Sequence, residues 1–188
     1  MVPKNITMLV IGLGANLSSP VGPPLATLEA VRLLLEPSLR ELGHPPLWSP
    51  LFRTAPVGGP SGQPDYLNAV VQVSTPRPPD PAAALRLLSQ LQELEQRFAR
   101  QRGERWGPRS LDLDLLWWGD LRCRGEVLEL PHPRLLERAF VLAPLAAIDP
   151  GLVPPGAHAT AAELLERLQA GAPDPAPQRL AGRPGWPE

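Results

Sequence analysis

Asp112 and Asp114 stand one residue apart among Leu111, Leu113 and Leu115. In an extended strand alternate side chains share a face, so both carboxylates point one way and the leucines the other. Two hard oxygen donors on one face make a platform for Mg²⁺, which keeps several waters and leaves positions for phosphate oxygens. Just upstream, Arg97, Arg100, Arg102, Arg105 and Arg109 are opposed only by Glu104. Their planar guanidinium groups supply paired donors for phosphate. Carboxylates and arginines together describe a nucleotide polyphosphate site. Either half alone is weaker: a D-x-D pair is as often an exposed strand edge, and an arginine run more often a solvated helix face.

Several other chemistries are excluded. There is no G-x-x-x-x-G-K-[ST] phosphate loop, and "GLGAN" lacks the full dinucleotide spacing. His44, His132 and His158 are scattered, which supports neither a catalytic triad nor a histidine-built metal site. A single cysteine, Cys123, excludes an internal disulfide and points to a reducing, cytoplasmic setting. The formal net charge of -1 argues against a globally basic nucleic-acid binder. The run from Ile6 to Leu13 is too short for a secretory signal, and no stretch approaches the ~20 apolar residues of a membrane span. A soluble protein is expected, with neither membrane nor nucleic acid as partner.

At 188 residues the chain has the length of one domain with a real core. Thr7 to Gly12 reads as a buried strand ending in the Gly-rich turn "GLGANLSSP". A helix is expected from about Pro24, with Leu25, Leu28, Val31 and Leu35 at helical spacing and Pro37 as its stop. "LWSPLFRT" and "LNAVVQVST" read as strands separated by the Gly/Pro loop "APVGGPSGQPDY". Asp80 and Pro81 open a second helix whose apolar stripe is Leu85, Leu88, Leu91, Leu94 and Phe98, with Gln92 and Glu95 off the stripe. After the aspartate strand come a turn leading to a short strand, short helical pieces in "PHPRLLERAFVLAPLAAIDP", and an amphipathic helix over Thr160 to Leu168. Residues 1–170 are assigned to one domain, and 171–188 to a Pro-rich, loosely held tail. The order strand, helix, strand, strand, helix, strand is that of an α+β ferredoxin-like sandwich, an antiparallel sheet with helices packed on one face and the other face free for a ligand.

The ordered motifs "GANL", "SPLFRTAPVGGPSGQPDYLNAVV", "RWGPRSLDLDLL" and "LPHPRLLERAFVLAPL" resemble the 6-hydroxymethyl-7,8-dihydropterin pyrophosphokinases of folate biosynthesis, from Gly12 to about Pro150. The resemblance implies a ferredoxin-like fold and transfer of pyrophosphate from ATP to the pterin hydroxymethyl group, with release of AMP. It makes Asp112 and Asp114 the ligands of two Mg²⁺ ions. Arg100, Arg102 and Arg109 become phosphate contacts. Gln92, Glu95, Arg105, Leu115, His132 and Arg138 match positions near the nucleotide. For the pterin it implies Tyr66 and Phe140 as stacking rings, Asn68 as the amide at the rim, Trp106 from the arginine loop, and the backbone of Thr54 and Val57. A monomer is expected. Two positions depart from the family pattern: Ala15 stands where serine is common, and Ala99 where glycine is usual before the loop arginines, which bears on the hinge of that loop.

Two rival readings use some of the same residues. A two-metal phosphodiesterase would want the aspartates and arginines but would need no arrangement of Tyr66, Asn68 and Phe140 for a small ring. An RNA-binding module on a ferredoxin-like sheet would stack bases on aromatics in an RNP-type pattern, which is missing here, and its phosphates would be repelled by Asp112 and Asp114.

Overall fold

The computed structural model of the chain describes residues 6–76, 78–100, 106–171, 175–180, 182 and 185–187. Apolar runs supply three long strands, the first two β-branched and inside the sheet, the third rich in Leu and Trp and at its edge. These are β1 (Thr7–Ala15), β4 (Tyr66–Thr75) and β5 (Asp112–Trp118), with β2 (Leu47–Trp48) and β3 (Leu51–Thr54) beside β4. The sheet order is β5-β1-β4-β3-β8, where β8 is Gln178–Leu180, β2 also pairs with β4, and all pairings are antiparallel.

Helices α1 (Pro24–Leu42) and α2 (Pro81–Arg97) cover one face. Leu28, Val31, Leu35 and Leu39 of α1 and Ala84, Leu87 and Leu91 of α2 pack there on Leu9, Ile11 and Leu13 of β1, Val71 and Val73 of β4, and Leu113 and Leu115 of β5. This is the expected sandwich. Asp80 caps α2, its Oδ1 accepting the Ala83 amide at 2.8 Å, and Pro81 takes the first helical position, where a missing N–H costs nothing.

Four expectations are corrected. Gly12 to Ala15 do not form a turn; they continue β1 for its full length. Pro37 does not end α1, which runs on to Leu42, because buried Leu35 and Leu39 hold both sides of the proline on the sheet. The α2 stripe is shifted at one edge: Leu91 and Phe98 are buried and Leu88 and Leu94 pack on the core as expected, but Leu85 is 45% exposed, and Ala84, Leu87 and Glu95, outside the expected stripe, are buried. The sheet's second face is only partly free. The helices α3 (Ala139–Ile148) and α4 (Ala161–Gly171) and a 3₁₀ turn at Leu135–Glu137 build a second core over it, in which Val141, Leu142 and Leu145 meet Val10, Val70 and Leu116. Helix α4 opens on a reciprocal cap: the Glu163 amide donates to Thr160 Oγ1 at 3.2 Å, and the Thr160 amide to Glu163 Oε2 at 2.8 Å.

The segment expected to be loosely held supplies β8, which pairs Leu180 with Leu51 and Gln178 with Arg53. Trp186 is buried edge-on against Trp48, ring centroids 5.8 Å apart, and its Nε1 donates to the Ser49 carbonyl at 2.8 Å. A small hairpin, β6 (Cys123–Arg124) with β7 (Glu129–Leu130), follows β5. Among the described residues no helix is long and apolar enough to cross a membrane.

Candidate active site

The register of three strands builds the floor of the site. Asp112, Gly14 and Asn68 lie side by side across β5, β1 and β4, and the next row is Asp114, Gly12 and Val70. Val70 belongs to the core under α3, so the open part of this face begins where that core ends. The two glycines keep the floor low between carboxylates and amide. A Cβ on Gly14 would stand 3.0 Å from Asn68 Oδ1 and 3.8 Å from the Tyr66 ring, closing the space between them. Leu116 keeps the face of Asp112 and Asp114 but lies under the α3 core; the β1–β5 register shifts at this residue, so that Trp117 also turns to the α3 core and Trp118 joins the α1/α2 core. The aspartate alternation therefore ends where the site ends.

The pocket above this floor is lined by Asp112, Asp114, Arg109 and Arg138 on one side and by Thr54, Val57, Tyr66 and Asn68 on the other, with Phe140 and Trp106 at its walls. Asn68 is buried and donates its amide to Thr54 Oγ1 at 2.8 Å, which fixes the rim of the ring-sized part. The Tyr66 hydroxyl donates to the Gly107 carbonyl at 3.1 Å, and burial pushes its phenol above the ordinary value. The Arg138 guanidinium lies 5.4 Å from the Phe140 ring centroid, so one side chain borders both halves of the pocket.

Each carboxylate is met by arginine. Asp112 Oδ1 accepts Arg109 at 2.6 Å and is ion-paired with Arg100 at 3.0 Å, and Asp114 Oδ2 accepts Arg138 at 3.0 Å. Burial, then the Asp112 charge beside it, push the Asp114 carboxyl above the ordinary carboxylate range, against the pull of Arg138. Glu95 is drawn in from α2: it pairs with Arg100 and accepts the Leu113 amide at 2.7 Å, and burial raises its carboxyl to about 7. Gln92 lies one turn earlier on α2, half-buried. His132 Nδ1 accepts the Arg134 amide at 3.2 Å, and burial followed by the Arg138 charge lowers the imidazole to about 4. The ring is thus neutral near pH 7 and carries its proton on Nε2.

Among the described residues no three His, Cys, Asp or Glu side chains are grouped to hold a metal ion. The donors nonetheless suit Mg²⁺, which needs only one or two carboxylates when phosphate and water complete its shell. The crowding that raises Asp114 is also the kind a cation relieves.

Of the residues singled out from the sequence, Asp112, Asp114, Arg109, Arg138, Thr54, Val57, Tyr66, Asn68, Phe140 and Trp106 converge on one pocket. Arg100 and Glu95 join it through Asp112. Leu115 does not: it is 4% exposed and packs in the α1/α2 core on the opposite face. Arg102 and Arg105 lie outside the described residues. Sequence reasoning missed Gly12, Gly14, Arg134 and Glu137 as lining residues. The glycines carried a signal, since their spacing of two in "GLGAN" is strand spacing and puts both on one face.

The sequence profile of the 7,8-dihydro-6-hydroxymethylpterin-pyrophosphokinase family matches residues 10–150. The 2-amino-4-hydroxy-6-hydroxymethyldihydropteridine pyrophosphokinase of Synechocystis is 38% identical over 168 residues, 88% of this chain and 78% of that one. The enzyme of the same name from Pseudomonas aeruginosa is 37% identical over 178 residues, 94% of this chain and 99% of that one. Among solved structures, wild-type Plasmodium falciparum HPPK-DHPS with pteroate shares the fold at a TM-score of 0.56 and 14% identity. That likeness covers 86% of this chain and 42% of the longer Plasmodium chain. With the family match running from the first strand to the end of α3, and relatives of similar length aligned almost throughout, the chain belongs to the 7,8-dihydro-6-hydroxymethylpterin-pyrophosphokinase family, the ATP-dependent diphosphotransferases of folate biosynthesis.

Proposed function

We propose that this pyrophosphokinase works with Asp112 and Asp114 as the ligands of two Mg²⁺ ions and with the pterin held over the Gly14 floor. The observation that carries this reading is the register Asp112, Gly14, Asn68, which sets a carboxylate and a buried amide on either side of a space without side chain. A flat heteroaromatic ring fits there: Phe140 and Tyr66 offer aromatic faces, Asn68 an amide edge, and Thr54 and Val57 backbone groups at the rim. Trp106 closes the mouth.

ATP lies on the carboxylate side. Bound Mg²⁺ would neutralise charge developing on the transferred phosphates. Arg109 and Arg100, which converge on Asp112, have further N–H groups to turn toward phosphate oxygens, and Arg138 does the same beside Asp114. Arg102 and Arg105 are proposed as further phosphate contacts. Neutral His132 offers an Nε2–H rather than a charge, and Gln92 and Glu95 flank the nucleotide from α2. The pterin hydroxyl attacks the β-phosphorus, the bond to the α-phosphate oxygen breaks, and AMP leaves. Positioning and charge stabilisation do the work, and no side chain is assigned as general base. The single cysteine, which excludes an internal disulfide, supports a cytoplasmic setting, and we read the enzyme as a monomer, to be checked by light scattering.

The test is AMP formation from ATP with and without 6-hydroxymethyl-7,8-dihydropterin and with and without Mg²⁺. Stoichiometric AMP and pterin diphosphate, lost when either pterin or Mg²⁺ is omitted, is the expected result. AMP formed without pterin would instead support the phosphodiesterase reading.

A further inference from the structure

Trp106 stands at φ +60°, a left-handed conformation that disfavours a residue with a large side chain. Such strain persists where neighbouring contacts hold it. The Trp106 carbonyl accepts Gln63 Nε2 at 3.0 Å, and the ring edge packs on Gly58, where a Cβ would come within 3.2 Å of it. These contacts act on the backbone and on one edge of the indole. Its face is met by Arg134, whose guanidinium carbon lies 5.5 Å from the ring centroid. Arg134 also lines the pocket, and its Nε reaches Glu137 at 3.5 Å. The turn that carries it is fastened to the aspartate strand: the His132 amide donates to the Leu116 carbonyl at 2.7 Å, and the Arg134 amide to His132 Nδ1.

We propose that Arg134 is a positioning residue for pterin binding: by seating its guanidinium against the Trp106 indole it holds that ring at the mouth of the pocket. The proposal rests on the reading of Trp106 as a pterin contact. Arg134 acts through the indole and not on phosphate, so its loss weakens pterin affinity and leaves ATP affinity alone. A cation over an exposed indole is worth roughly a 2- to 5-fold change in affinity.

The test uses the full chain and two readouts. Trp48, Trp117, Trp118 and Trp186 are all below 10% exposed while Trp106 is 43% exposed, so acrylamide quenching of tryptophan fluorescence in the absence of substrates reports chiefly on Trp106. Arg134→Ala is expected to increase quenching and to raise KM for 6-hydroxymethyl-7,8-dihydropterin roughly 2- to 5-fold, with kcat and KM for ATP within about twofold. Arg134→Lys, which keeps the charge, is expected to fall between, and Arg134→Ala added to Trp106→Ala to cause no further change. Unchanged quenching overturns the proposal. A rise in KM for ATP that persists in the Trp106→Ala background also overturns it and makes Arg134 a phosphate ligand. If Trp106→Ala leaves pterin KM unaltered, the placement of Trp106 against the pterin falls and the proposal with it, while the quenching result still reads the Arg134 contact separately.

Discussion

The Glu95 carboxylate accepts the backbone amide of Leu113 at 2.7 Å, fastening helix α2 to the strand between its two aspartates. Glu95 is 7% exposed, and burial raises its carboxyl from the ordinary 4.5 to about 7 even with Arg100 paired to it. A carboxyl raised on folding is favoured in its protonated form. Its contribution to stability is therefore fully present below the ordinary carboxylate range and is lost as pH climbs through about 7. For metal-free protein, urea unfolding at pH 5 and pH 8 should show a loss of up to about 3 kcal/mol attributable to this group. Glu95→Gln should remove that component. A wild-type minus Glu95→Gln difference that stays constant from pH 5 to pH 8 would refute it.

Helix α2 ends on an alanine in a glycine's place. The Arg100 amide bonds back to the Glu95 carbonyl at 2.9 Å and the Ala99 amide to the Gln96 carbonyl at 3.0 Å, the paired pattern that closes a helix through one left-handed residue. Ala99 is that residue, at φ +58°. Ala99→Gly should stabilise the protein by about 1 kcal/mol, because the left-handed conformation penalises a Cβ. Its melting temperature should rise; an unchanged or lower one would show that the unfolded-state entropy of glycine outweighs the relief.

How much of this was legible from the sequence depends on the reach of each interaction. The two aspartates, the apolar faces of the strands and the helix starts at Asp80 and Thr160 depend on neighbours a few residues away, and they stand in the structure as read. Glu95 was read as lying off the apolar stripe of α2 because a charge argues for solvent; its partners, Leu113 and Arg100, are brought to it by the fold. The site floor needed the register of β1 between β4 and β5, which periodicity alone does not give. The tail was the least legible part: composition favours disorder in a Pro-rich stretch, and nothing local announces that Trp186 will reach Ser49 across most of the chain.

That reach makes the tail testable. Trp186 fills a site against Trp48, and Arg32 Nη2 donates to the Gly185 carbonyl at 3.2 Å, so the segment fastens α1 to the strand pair β2 and β3. Trp186→Ala removes a buried aromatic and leaves the Ser49 carbonyl without its donor, which should cost about 3 kcal/mol in urea unfolding. Ending the chain after Gly171 should cost at least as much, since it also uncovers the β3 edge. Stability unchanged by either variant would show that the segment merely lies on the surface.

The carboxylate pair gives the sharpest contrast between structure and catalysis. Asp112 and Asp114 share a face, and the charge on Asp112 helps hold the Asp114 carboxyl above the ordinary range. In metal-free protein Asp112→Asn should therefore bring Asp114 down toward that range, as followed by carboxyl NMR shifts. The same change takes away a charge partner placed for the transferred phosphates and should lower Mg²⁺-dependent turnover at least ~10²-fold, as should Asp114→Asn. Stability should move less, because the largely buried carboxylates still keep 25% and 32% of their side-chain surface in contact with solvent and their arginine partners, Arg100, Arg109 and Arg138, can turn to water. A variant with lowered Asp114 titration but near-normal turnover would leave the electrostatics standing and remove Asp112 from the metal site. Loss of turnover together with loss of folding would instead make the aspartates structural.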